Sequence, residues 1–406
     1  MISPESPFQI NISDAQLTLL QQKLANATFP DELEEAGSAY GAPLTDIKRL
    51  VACWKDGYDW LTRDVDVEGF GTLNIHYVHK KSAVDDAIPL LFVHGWPGSF
   101  IEVRKILPLL VEPSWDNWDN SYPNFHVVAF NLPSYGFSDA PKKKGFGVSQ
   151  YAEMGNKLML ALGYDEYVTQ GSDWGHLIIR KIAHLYGPKH CKAWHTNMVV
   201  GPPPITSSLY ILIRTLFSYF PIPYWPSSVS SLHEAALANT QHFLTSGQGY
   251  SDIQCTRPQT LGYGLADWIY EKLMAWTDAY SWEDDEVLTW ISIYHFSRAG
   301  PAALVRIYFE AMGSDGLANE FLQNVFLTPE HTTIPLGYSH FPKDMAFPKS
   351  PNLVFEAEHD RGGHFASYEE PVELVGDLRK MFGRGGGAYG VVSRKDGYAA
   401  AISKWL

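Results

Sequence analysis

The strongest constraint on the fold is the string YVTQGSDWGHLIIRKIAHLYG, residues 167–187. A β-rich run ends in Gly171-Ser172-Asp173-Trp174-Gly175 and passes at once into a helical pattern, apolar at Leu177, Ile178, Ile182 and Leu185 and stopped by Gly187. Small residues on both sides of the bend are what a sharp turn and a close helix-to-strand contact require. The same alternation recurs in LNIHYVH, PLLFVHGW, HVVAFNLP, AWHTNM and NLVFEAEHD, with a helical stretch at Met154, Leu158, Met159 and Leu162 between two of them. Strand and helix in alternation predict an α/β fold with a mostly parallel sheet covered on both faces. With 406 residues, 45% of them apolar, the chain can bury one large core with an excursion, or two.

The rhythm sets the boundaries. Residues 1–72 read as an N-terminal arm that wraps the core, opening with a helix capped by Ser13 and Gln16 and continuing as a meander. Residues 73–197 form the first part of the α/β core. Residues 198–331 are helical and aromatic-rich with no convincing strand, which predicts a cap over the carboxyl edge of the sheet, where ligands of open α/β sheets bind. Residues 332–382 return to the core. Residues 383–406 are glycine-rich and read as a loose tail or a contact with a second copy, leaving a homodimer open.

Net charge is −14, which opposes nucleic-acid and anionic-membrane partners and favours a small neutral one. Cys53, Cys191 and Cys255 lack the spacing of a disulfide framework or zinc site, as expected of a reducing cytoplasm. The first residues lack a basic segment followed by an apolar run, unlike a signal peptide. The apolar stretch 209–225 is broken by Arg214, Pro221 and Pro223 and is too interrupted to span a bilayer.

Asp173 decides the chemistry. A carboxylate at the elbow attacks an alkyl carbon and itself supplies the acyl group, which points to epoxides or alkyl halides and away from peptides and ordinary esters. Serving only as the helix N-cap is the plain structural alternative. His94-Gly95-Trp96-Pro97-Gly98 follows a buried strand, where the Trp96 N–H would pair with that of Trp174 in an oxyanion hole. His364 follows the last strand and could act as a base toward water. Its orienting acid is assigned to Asp344, because Glu358 and Asp360 on the histidine's own loop would have to fold back sharply. Phe217, Tyr219 and Trp225 are candidates for an apolar pocket that excludes bulk water.

HGWPGSF, NLPSYGFSDAP, GSDWG, GYSHFPKD and RGGHFASYEEP together resemble the microsomal-type epoxide hydrolases, particularly their soluble fungal members, up to about Phe382. The resemblance implies an α/β-hydrolase fold with Asp173 as nucleophile, His364 as base and Asp344 as its acid. It also implies that two cap tyrosines, Tyr250 and Tyr308, donate hydrogen bonds to the epoxide oxygen. Substrate and water suffice, with no metal or cofactor. Two departures stand out: a shorter arm segment after YDW, and a shorter interval from acid to histidine. A haloalkane dehalogenase, which would need halide-binding N–H donors instead of phenols, and a non-catalytic ligand-binding member of the fold are the competing readings.

Overall fold

The computed structural model describes residues 6–9, 59–112, 122–198, 247, 249–256, 265–300, 302–312, 332–344 and 352–399. The expected helix after Ser13 and the pocket candidates Phe217, Tyr219 and Trp225 lie outside the described residues.

Among the described residues nine strands form one sheet: β1 (Ser6–Gln9), β2 (Asp59–Val67), β3 (Gly71–Lys80), β4 (Ile88–Val93), β5 (Phe125–Phe130), β6 (Tyr167–Gly171), β7 (Cys191–Thr196), β8 (Leu336–His340) and β9 (Leu353–Glu358). Their order is β1-β2-β3-β5-β4-β6-β7-β8-β9. The pairs from β1 to β5 are antiparallel and those from β5 through β4 to β9 are parallel.

β4 and β5 are buried along their whole length because both sheet faces are covered, and successive residues feed opposite cores. Leu91, Val93, Val128 and Phe130 join one core with residues of helices α2 (Val148–Ala161) and α3 (Trp174–Tyr186). Leu90, Phe92, Val127 and Ala129 join the other, beneath α1 (Ile106–Val111) and a C-terminal helix, Pro371–Phe382. Truncating one such side chain, Leu90→Ala for example, should cost about 2–5 kcal/mol.

The chain passes from β4 to β5 on one side and then crosses to β6 on the other, so strand order reverses at β4. In open α/β sheets the crevice at the carboxyl ends beside such a reversal is the binding position. Between β7 and β8 the described residues form four helices: α4 (Gly249–Thr256), α5 (Leu265–Trp276), α6 (Asp284–His295) and α7 (Arg306–Met312). After β9 come α8 (Ala366–Glu369) and α9, the Pro371–Phe382 helix.

Two segments differ from expectation. Part of the predicted arm is β2, which pairs with β3 from Leu61↔Tyr77 to Val67↔Gly71. The glycine-rich C-terminal stretch is packed on its own molecule as far as it is described. Ala388 and Val392 enter the second core. Gly397 donates its N–H to the Asp86 carbonyl at 2.8 Å and accepts from Asn124 N–H at 2.7 Å. Gly397 is needed there, since its φ is +85° and a Cβ would lie 2.4 Å from Pro123 Cβ.

Candidate active site

Val93 and Gly171, the last residues of β4 and β6, are register partners, so the loops that follow them leave the sheet side by side. A Cβ on Gly175 would lie 2.0 Å from the Val93 carbonyl oxygen, so glycine lets α3 start directly against β4. Between them Asp173 adopts φ +53° and ψ −128°, a conformation unfavourable for a side-chain-bearing residue. Asp173 stands at the N-cap position of α3, but its carboxyl group makes no capping bond to the N–H groups of the second or third helical residue, so capping is not its role.

Instead the carboxylate turns toward the neighbouring loop, where Trp96 N–H donates to Asp173 Oδ1 at 2.7 Å. The Trp174 N–H also donates to it. Close approach depends on Gly95, whose added Cβ would sit 2.3 Å from Asp173 Oδ1. Burial pushes the Asp173 carboxyl above its ordinary range, opposed by the positive charge of His364 and by these two N–H donors.

His364 is buried on the loop between β9 and α8. Its Nδ1 faces Asp344 Oδ1 at 3.2 Å, and its Nε2 lies 3.6 Å from Asp173 Oδ2. Asp344, itself buried, follows β8, whereas Glu358 and Asp360 are exposed. Burial alone would lower the imidazole pKa, but Asp344, Asp173 and Glu102 outweigh it and raise it to about 9.

The inserted helices close the site from above. Tyr250 on α4 stacks on the Trp96 ring at 4.9 Å, and Tyr308 on α7 meets the Trp174 ring edge-to-face at 4.8 Å. A hydrogen bond links the two phenols, whose rings lie 5.9 Å apart. Burial, together with the Asp173 charge, pushes both phenols upward and keeps them protonated donors. All seven residues assigned to catalysis and the oxyanion hole are thus brought together.

Several neighbours escaped the sequence reading. Trp276, at the end of α5, accepts the His364 backbone N–H at 3.0 Å and packs its ring 4.8 Å from the imidazole. Asp278 Oδ2 accepts from Gly362 N–H at 3.0 Å, and Glu369 accepts from Asp278 N–H at 2.9 Å. Glu102 is buried behind the His94–Gly98 loop, accepts from Gly95 N–H, and is raised to about 8 by burial. No local pattern announces them, because an acid beside a short helix or an aromatic in an insertion is ordinary.

A doubly covered sheet with a carboxylate at its strand-to-helix elbow and an imidazole beyond its last strand defines an α/β hydrolase of the carboxylate type. Residues 5–103 match the family described as epoxide hydrolase N terminus, and residues 88–221 that described as alpha/beta hydrolase fold. Epoxide hydrolase 1 of Sus scrofa is 32% identical, the alignment covering 93% of this chain and 88% of that protein. The solved Aspergillus niger epoxide hydrolase is 29% identical with a TM-score of 0.72, over 93% of this chain and 95% of that one. The juvenile hormone epoxide hydrolase of Bombyx mori is 26% identical with a TM-score of 0.75, over 92% and 93%. The chain belongs to the epoxide hydrolase family and is a hydrolase.

Proposed function

We propose that this enzyme opens an apolar epoxide to a vicinal diol through a hydroxyalkyl ester on Asp173. The reading rests chiefly on the elbow carboxylate, with Oδ1 held 2.7 Å from Trp96 N–H and Oδ2 3.6 Å from an imidazole. Tyr250 and Tyr308 bind the epoxide oxygen, and Asp173 attacks a ring carbon from the opposite side. The C–O bond breaks as the C–O bond to Asp173 forms, and Tyr250 protonates the alkoxide.

Esterification removes the Asp173 charge, and with it one of the carboxylates that keep His364 protonated. The imidazolium proton, carried by water, then neutralises the Tyr250 phenolate, leaving a neutral imidazole oriented by Asp344. That imidazole takes a proton from the attacking water. The N–H groups of Trp96 and Trp174 stabilise the tetrahedral anion, and His364 returns the proton to the departing diol. The proton left on the regenerated Asp173 acid passes back to His364, restoring the starting charges. The inserted helices act as the cap that excludes bulk water.

The test is intact-mass analysis after exposure to styrene oxide. His364→Gln should accumulate a protein heavier by one substrate molecule, with the adduct on Asp173, while the native enzyme yields diol. An unmodified His364→Gln chain, or bromide release from a bromoalkane without diol formation from any epoxide, would overturn the reading.

A further inference from the structure

Tyr250 has a second close neighbour that the reaction just described leaves without a role. Lys272, on α5, is 4% exposed, and its Nζ lies 4.5 Å from the centre of the Tyr250 ring and 5.6 Å from that of Trp276. Burying an ammonium group is costly, and a lysine needed only for packing would be better replaced by leucine or methionine. Its ion pair is with the adjacent Glu271, at 2.8 Å. The two ends of that pair differ in solvent contact: the lysine side chain is 5% exposed and the glutamate side chain 36%. Water therefore screens the carboxylate more than the ammonium, whose field reaches the phenol through a largely dry medium.

We propose that Lys272 is a positioning residue for ring opening, holding its charge over the Tyr250 ring to stabilise the phenolate formed when Tyr250 protonates the epoxide oxygen. This deepens the proposed function and rests on it. A cation over an aromatic face is attracted to the ring's π-electrons, and the attraction grows as the ring acquires negative charge. The interaction is therefore stronger in the transition state than in the resting enzyme, the condition under which it accelerates a step. The Trp96 indole, stacked on Tyr250 at an interplanar angle of 10°, fixes the ring so that the phenol remains aimed at the substrate. Glu271 acts in the opposite sense on the phenol, and its exposure limits that effect.

Single-turnover kinetics with styrene oxide separate ester formation from ester hydrolysis. Lys272→Met should slow ester formation about tenfold and leave hydrolysis of the formed ester unchanged, while Lys272→Arg should restore most of the loss. The deficit in Lys272→Met should shrink with an epoxide bearing an electron-withdrawing substituent, whose alkoxide leaves more readily. Lys272→Gln gives the same test should the methionine variant lack a cooperative thermal transition. Ester formation at the native rate, an equal loss in both steps, or an arginine variant no better than methionine would overturn the assignment. If Lys272→Met forms the Asp173 ester at the native rate, only the role of Lys272 fails. If no ester forms even in His364→Gln, the proposed function itself fails.

Discussion

At Gly95 a single hydrogen atom leaves room for the carboxylate of Asp173, the proposed nucleophile. A methyl group there would meet Asp173 Oδ1 at 2.3 Å, displacing the carboxylate or the loop that carries Trp96 N–H. Gly95→Ala should therefore lower kcat for diol formation by roughly a hundredfold, the scale of a misplacement near 1 Å, with little change in the thermal transition. A second prediction follows from the charges. His364 is raised from 6.5 to about 9 and Glu102 from 4.5 to about 8, so the native state binds more protons than the unfolded chain between these values. The His364 contribution is complete below about pH 6.5 and fades as pH rises through 9. Urea midpoints should fall over this interval, and His364→Gln should flatten its upper part; an unchanged slope in that variant would show that another group is responsible. Asp173, His364, Asp344, Trp96 and Trp174, which the sequence places at strand ends, and Tyr250 and Tyr308, which the resemblance implies, lie together in one site. Glu102, Lys272 and Trp276 were not legible in the sequence, since their roles exist only once separate loops and helices meet.

At the scale of elements, the loop carrying His364 is held by an inserted segment as well as by the sheet. Asp278 binds Gly362 N–H, and Glu369 binds Asp278 N–H and, at 3.0 Å, Phe365 N–H. Asp278→Ala should loosen that loop and slow ester hydrolysis about tenfold while ester formation proceeds normally, seen by mass spectrometry as accumulation of the adduct during turnover. Equal slowing of both steps would contradict this. Strands β4 and β5 were legible because burial on both faces demands apolar runs. β2 lies in the segment read as an arm, although Arg63, Asp64, Asp66 and the valines of DWLTRDVDV alternate with the period of a strand, and its ladder to β3 establishes it. The aromatic richness of the insertion announced helices, yet which rings face Asp173 is a property of their packing.

For the whole molecule, the C-terminal stretch shows how composition misleads. Glycine there signals close approach: Gly397 bridges Asp86 and Asn124, far away in sequence, and Pro123 leaves it no room for a side chain. Gly397→Ala should cost about 2 kcal/mol of stability, read as a shift in denaturant midpoint with catalysis per folded molecule intact; a neutral effect would mean that this closure is dispensable. The hydrogen bond from His364 N–H to the carbonyl of Trp276 has a wider consequence. Lifting α5 away from the sheet would break this bond and pull on the loop that carries His364, so wide opening of the insertion and an ordered His364 are opposed.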